Sequence, residues 1–275
     1  IGSGELDNGS TFGVTITNTD KSVFSAGNID ITTPSFGSFK MSFIEGGNGI
    51  GGYDDNVPTA WEETWGAGVT VGANMAKGVG SSSSIMWTLP TLPVLGATVK
   101  VAYAPRNDGT SPTDKAGGGA GSSLGSGTDI VLDISPELAG GAFNLFGGYS
   151  ITEDVVTGDH AASNTAEKSD REEATAGIIL TIGPVKAGFQ RTAEFTGTRT
   201  PGSTDYYANT MWGVSFNVND NLSISYGDFA SDKGYHGKSL SDSNNQTWNT
   251  ARDLDYLSAN SWQLAYTMGG ASIKV

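Results

Sequence analysis

Side chains that could carry out chemistry are few in this sequence, and their types exclude several common mechanisms. The 275 residues include no cysteine and only two histidines, His160 and His236. The lack of cysteine excludes disulfide scaffolds, thiolate metal sites and thiol catalysis, and two separated histidines are too few for a zinc site. Residues 234–239 end like a phosphate-binding loop, but Asp232 stands where that motif requires glycine. No catalytic set is predicted.

Fixed charge is the remaining chemistry that the sequence offers. There are 29 acidic and 15 basic residues, for a net charge of −14. No basic surface is available to neutralise phosphates, so a nucleic-acid partner is excluded. The acidic segments 228–232 and 253–255 suggest Ca²⁺ as an alternative, but solvated charge is the simpler interpretation. We therefore predict no cofactor and no metal ion.

The elements that must position these charges are β-strands with one apolar face. From Trp212 to Val218, and again from Leu222 to Tyr226, every second residue is apolar, and an Asn/Asp turn separates the two runs. This pattern predicts a β-hairpin. Its polar face is Gly, Ser and Asn, with almost none of the Lys and Glu that a solvent-facing sheet carries. The same alternation recurs along the chain and predicts about 13 strands.

Connections between the predicted strands alternate between two classes. Short turns are predicted at residues 34–37, 90–95, 136–141, 183–184, 219–221 and 269–270. Long polar connections are predicted at residues 44–83, 105–127, 153–172, 196–208 and 231–260, with 18–22 as a short exception. This alternation is typical of an antiparallel up-and-down barrel in an outer membrane. The sequence therefore predicts an all-β transmembrane barrel, with residues 1–275 as a single domain.

The phase of the alternation assigns side chains to the two faces of the wall. Four lysines fall on the polar phase: Lys40, Lys100, Lys186 and Lys274. Because a charge facing lipid at the midplane costs about 2–4 kcal/mol, these positions predict a hydrated interior. Four aromatic residues fall on the apolar phase and are predicted to lie at the membrane interface: Trp212, Tyr226, Trp262 and Tyr266.

Several stretches resemble the general bacterial porins, especially those of α-proteobacteria. Residues 5–13, ELDNGSTFG, look like a porin inter-strand turn with its following strand, and residues 211–226 look like a porin hairpin. The long connection at 44–83 matches the family's constriction loop in position. The family has sixteen strands. The resemblance thus implies that this chain, with about 13, is incomplete at both ends.

In that family the constriction loop folds into the lumen, and its acidic groups face basic groups on the wall. The resemblance assigns to the loop the carboxylates Glu45, Asp54, Asp55, Glu62 and Glu63. It assigns to the wall the four lysines named above. Opposed charges across a narrow opening order water and favour polar solutes over apolar ones.

The resemblance implies a passive outer-membrane diffusion channel of a Gram-negative bacterium, and not an enzyme. It would carry ions and small hydrophilic solutes, form a homotrimer and contact lipid and lipopolysaccharide. Two alternatives remain open. A substrate-selective channel would need an aromatic track along the lumen, and inward aromatic residues such as Phe146 are scarce. A secreted or surface-layer structural protein would fit the acidic, glycine-rich composition.

Overall fold

In the part of the chain that the structure describes, the fold consists of β-strands and one short helix. The computed structural model describes residues 1–19, 22–43, 47–65, 73–80, 82–93, 95–107, 124–138, 141–154, 167–199, 204–235 and 254–275. Within these ranges, no helix has the length and apolar character needed to cross a membrane. The predicted residues Glu45, His160 and His236 lie outside the described part of the chain.

Seventeen strands are present among the described residues. The first nine are β1 (Gly2–Glu5), β2 (Thr11–Thr19), β3 (Ser22–Thr33), β4 (Gly37–Phe43), β5 (Ser84–Thr88), β6 (Ala97–Ala104), β7 (Leu124–Ile134), β8 (Glu137–Leu138) and β9 (Gly141–Asp154). The others are β10 (Glu167–Lys168), β11 (Arg171–Ile182), β12 (Val185–Phe195), β13 (Thr198–Arg199), β14 (Thr204–Asn219), β15 (Leu222–Tyr235), β16 (Leu254–Met268) and β17 (Ala271–Lys274). A 3₁₀ helix spans Gly49–Tyr53, between β4 and β5.

Each long strand pairs antiparallel with the next along the chain. The order is β1-β2-β3-β4-β5-β6-β7-β9-β11-β12-β14-β15-β16-β17, with β8 added beside β9, while β10 and β13 form a separate pair. The predicted antiparallel up-and-down arrangement is confirmed. The path holds 14 strands where the sequence predicted about 13, because β1 has too few residues for alternation to identify it.

The polarity of the two faces of the sheet is the reverse of that in a water-soluble protein. In β7, Ile130 and Leu132 are 52% and 44% exposed, whereas Asp129 is fully buried. A soluble sheet would bury the apolar residues and expose the aspartate. An apolar exposed face and a polar inner face are the pattern of lipid-facing barrel strands. We call these the outward and inward faces.

Buried apolar side chains lie between the inward face and the segment that connects β4 to β5. One cluster joins Ile50 and Tyr53 of that segment to Val131 and Phe146 of the wall. A second joins Met75 of the segment to the wall residues Met211 and Phe229. The core of the molecule is therefore inside the curve of the sheet.

Two of the predicted long connections are shorter than expected. The connection predicted at 196–208 ends at Thr204, where β14 begins, and β15 continues to Tyr235. These strand ends could not be predicted because both of their faces carry polar residues, so period-two alternation disappears while the hydrogen-bond ladder continues. The strands thus extend beyond the apolar band toward the long connections.

Candidate pore constriction

The segment between β4 and β5 lies on the inward face. We call its described residues the inner loop: an entry arm at residues 47–53, a tip at 54–65 and a return arm at 73–80. Asn48 begins the entry arm, and its Nδ2 donates hydrogen bonds to Ser42 Oγ at 3.0 Å and Ser84 Oγ at 2.8 Å. These serines belong to β4 and β5, so the entry arm is tied to the strands that flank the loop.

A single aspartate of the wall joins both arms. Asp129 Oδ2 accepts a hydrogen bond from the Ile50 N–H at 2.9 Å and another from the Val79 N–H at 3.1 Å. The carboxylate is fully buried. Hydrogen bonds to a charged acceptor are stronger than neutral ones. Asp129 therefore holds the entry arm and the return arm side by side against β7.

Further along, the start of the tip is seated on a glutamine of β12. Gln190 Oε1 accepts from the Asn56 N–H at 2.7 Å, and its Nε2 donates to the Tyr53 carbonyl at 2.7 Å. Ser225 Oγ of β15 accepts from the Ala60 N–H at 2.8 Å. A glutamine can donate and accept at once, so it satisfies one backbone group at the end of the 3₁₀ helix and one at the start of the tip.

The far end of the tip is seated on β16. Gln263 Nε2 donates to the Glu62 carbonyl at 2.5 Å, and Oε1 accepts from the Trp61 and Glu62 N–H groups at 3.3 Å. Thr64 Oγ1 and Ser261 Oγ are hydrogen-bonded at 2.9 Å. The inner loop consequently crosses the inward face from β4 to β16.

Charged groups of the wall hold the return arm. Glu173 accepts from the N–H groups of Lys77 at 2.8 Å and Gly78 at 3.0 Å. Arg171 Nη2 donates to the same carboxylate at 2.9 Å, and Arg171 Nε lies 3.0 Å from Glu194 Oε1. Both glutamates are almost fully buried. Arg171 thus supplies the positive charge that makes two buried carboxylates tolerable.

Amide side chains complete this attachment. Asn74 Nδ2 of the return arm donates to Glu194. Asn209 Nδ2 of β14 donates to the Asn74 carbonyl at 2.7 Å and to Thr192 Oγ1 at 2.9 Å. Side chains from β11, β12 and β14 therefore act together on one arm.

The tip collects four of the five predicted loop carboxylates. Burial, followed by the neighbouring Asp54 charge, raises the pKa of Asp55 to about 7. A hydrogen bond to Glu62, followed by burial, raises the pKa of Glu63 to about 7. Burial also raises the pKa of Asp54. The two aspartates and the two glutamates are hydrogen-bonded pairs, and the pairs also repel each other. Several acids brought this close cannot all ionise near neutral pH.

The predicted wall lysines all lie on the inward face, at different places. Lys274 is the one that reaches the tip: its Nζ lies 5.8 Å from the Trp61 ring centroid. The pKa of Glu62 is lowered first by the hydrogen bond from Glu63, with Lys274 contributing as well. Lys186 is exposed, and its backbone pairs with Ser215.

Lys100 and Lys40 lie away from the tip along the wall. Lys100 Nζ donates to Tyr53 Oη at 2.6 Å and lies 4.7 Å from the ring centroid, and Tyr53 Oη donates to Asp133 at 2.8 Å. This charge therefore faces the entry arm. Lys40 is paired across the ladder with Asp30.

The predicted interface aromatics lie on the outward face. The rings of Trp212, Tyr226 and Trp262 follow one another across β14, β15 and β16, with centroid separations of 5.4 and 4.7 Å. Trp262 is 79% exposed. Tyr266, also in β16, is partly exposed, and its hydroxyl lies 3.2 Å from Met268 Sδ. Tilted contacts between amphipathic rings are typical of the belts that form at a membrane interface.

Sequence reasoning missed the residues that seat the loop. They include Asp129, Glu173, Gln190, Glu194, Asn209, Ser225 and Gln263. The available signal was a charged or amide side chain on the polar phase in the middle of a strand. That signal could have identified Asp129, but it gives no information about its partner in the loop.

The architecture and the inner loop together define the class. An up-and-down antiparallel sheet, apolar outside and polar inside, with a long connection across its inward face, is a porin-type barrel. Comparison with solved structures finds similarity to a porin refined at 1.8 Å resolution, with a TM-score of 0.51 and 12% sequence identity, over 99% of this chain and 82% of that chain. The chain has a porin-like fold, as predicted. No protein-family model and no curated protein matches its sequence.

Proposed function

We propose that the protein is a passive outer-membrane channel for ions and small hydrophilic solutes, narrowed by the inner loop. The observation that carries this proposal is the inverted polarity of the wall, together with a loop seated on the polar side. Lipid-facing strands must pair their backbone groups within the sheet, and every strand between β1 and β17 on this antiparallel path has a hydrogen-bonded neighbour on both sides. The polar interior is then the path for solutes.

Charge at the tip supports a preference for cations. Asp54, Asp55, Glu62 and Glu63 form one acidic cluster, with Lys274 facing Glu62. Rings or clusters of carboxylates favour cations in a narrow polar opening. The cluster is the proposed constriction on the loop side, and Lys40, Lys100, Lys186 and Lys274 are the proposed wall charges.

The outward face supports the proposed partners. Phe12, Ile16, Met41 and Phe43 of the early strands are 42%, 62%, 40% and 39% exposed. A large exposed apolar face needs lipid or another subunit to cover it. We propose lipid, with lipopolysaccharide at the outer rim, around most of the barrel, and a homotrimer contact that includes these early strands.

Conductance in a planar lipid bilayer tests the channel function directly. The purified protein should insert as open channels, in groups of three steps if it is a trimer. Glu62→Gln with Glu63→Gln should reduce cation preference, measured as the reversal potential in a salt gradient. Glu172→Gln is the control, because this glutamate is exposed and on the outward phase. A chain that never conducts, or that stays soluble without detergent, would contradict the proposal.

One observation favours a substrate-selective channel as the second candidate. Lys233 Nζ lies between two inward tyrosines, 5.6 Å from the Tyr207 ring centroid and 5.1 Å from that of Tyr235. Inward aromatic residues are therefore less scarce than the sequence suggested. A selective channel would show saturable block of ion current by its solute, whereas a general channel would show none.

A further inference from the structure

Three glycines form a groove in the wall beneath the tip. Gly188 of β12 is the cross-strand partner of Gly213 in β14, and Gly213 is the partner of Gly227 in β15. All three are on the inward phase. Adjacent strands therefore lack a side chain at the same level, and the wall is one side chain thinner there than above or below.

The tip of the inner loop occupies this groove. A Cβ atom added to Gly188 would lie 2.5 Å from Pro58 Cδ, and one added to Gly213 would lie 2.5 Å from the Pro58 carbonyl oxygen. One added to Gly227 would overlap Thr64 Oγ1. None of the three glycines has a positive φ. A substitution therefore meets steric overlap and no backbone strain.

Two hydrogen bonds fix the tip along the groove, at positions that flank Pro58. Asn56 is bonded to Gln190 at 2.7 Å and Ala60 to Ser225 at 2.8 Å. The proposed constriction carboxylates directly precede and follow this segment. The depth of the groove thus determines how far the acidic cluster extends from the wall into the lumen.

We propose that the groove formed by Gly188, Gly213 and Gly227 sets the aperture of the channel, and with it the size limit for hydrophilic solutes. This inference rests on the proposed channel function. Because the tip lies directly against the backbone of the wall at these glycines, it takes up less of the lumen than a tip held away from the wall by side chains would. A methyl group in the groove would move the tip and its carboxylates into the lumen and narrow the opening.

The atom of Pro58 that an added Cβ would overlap differs between Gly188 and Gly213, and this difference provides the test. Gly188→Ala meets a side-chain atom of Pro58, whereas Gly213→Ala meets its backbone carbonyl. Each variant should lower single-channel conductance and slow the entry of the largest permeant sugar into liposomes by about twofold or more. Adding Pro58→Ala should restore the Gly188→Ala channel, because it removes Cδ. It should not restore the Gly213→Ala channel.

Gly147→Ala, on the outward face of β9, is the control for the glycine-to-alanine change itself, since a Cβ there would lie 3.7 Å from the Thr175 carbonyl oxygen, an ordinary contact. Wild-type conductance in both glycine variants would overturn the aperture inference and leave the channel function intact. A wild-type protein that does not conduct would instead reject the channel function. If Gly188→Ala does not assemble, heat-modifiable mobility in gels should return when Pro58→Ala is added. Failure to return would also overturn the inference.

Discussion

The carboxylates of the wall and those of the loop tip differ in their hydrogen-bond partners. Asp129 and Glu173 are 0% and 1% exposed, and each accepts two backbone N–H groups of the inner loop. Glu173 also has Arg171. At the tip, Asp55 and Glu63 are instead bonded to other carboxyl groups, and both have pKa values raised to about 7.

The difference separates attachment from proposed function. A buried carboxylate that receives N–H donors stabilises the segment that provides them. Acids held against one another repel when both are ionised, and groups whose pKa values are shifted in this way cluster at functional sites. Removing a wall carboxylate should therefore release the loop, whereas neutralising the tip should change selectivity and leave the loop in place.

The largest effect is expected for Asp129→Ala. Two buried N–H groups, those of Ile50 and Val79, would lose their acceptor, at roughly 1–3 kcal/mol each. Trypsin should then cleave after Lys77 faster than in the wild type, because the return arm opens locally. Asp220→Ala, in the exposed turn between β14 and β15, is the control. Wild-type protection of Lys77 would show that Asp129 does not join the two arms.

Arg171→Met should have the next largest effect. Glu173 and Glu194 would remain buried without their positive partner, which costs about 3–5 kcal/mol in a fully buried pair. The expected loss of unfolding free energy is at the lower end of that range, because Arg171 is 18% exposed. Thermal unfolding in detergent measures it, and Arg191→Met, on the outward face, is the control.

A second substitution tests whether the charge cluster is responsible. Glu194→Gln in the Arg171→Met background removes one unpaired charge. The unfolding free energy of the double variant should be higher, by more than about 1 kcal/mol, than the sum of the two single effects predicts. Strictly additive effects would mean that Arg171 acts through packing alone.

Alternation in the sequence was sufficient to predict the wall. The run from Trp212 to Tyr226 predicted a hairpin with lipid-facing aromatics, and β14 and β15 form it with that phase. The ends of β14 and β15 were not predicted, because their two faces have similar polarity. The polar face of this hairpin carries so few charges because Gly213, Ser225 and Gly227 lie beneath the tip of the loop.

The seating of the loop could not be predicted in the same way. Gln190 meets Asn56 across 134 positions of sequence, and Gln263 meets Glu62 across 201. A local pattern shows that Gln190 faces inward, but the partner depends on where the loop crosses the wall. Grouping Asp54, Asp55, Glu62 and Glu63 relied on their shared segment and on the porin resemblance. The hydrogen bond within each pair could be seen only in the structure.

Neutralising the tip should have the smallest effect on stability and a specific effect on selectivity. Since the pKa values of Asp55 and Glu63 are raised to about 7, both groups are mainly neutral below that pH and ionised above it. Cation preference should therefore increase as pH rises from 5 to 9, with its midpoint near 7.

Asp55→Asn with Glu63→Gln should flatten this pH dependence, measured as the reversal potential, and change the unfolding free energy by less than about 1 kcal/mol. Glu5→Gln with Asp7→Asn, at the exposed turn between β1 and β2, should retain the wild-type pH dependence. A pH dependence that persists in the tip variant would place the titrating groups elsewhere in the channel and would show that the tip carboxylates do not set the selectivity.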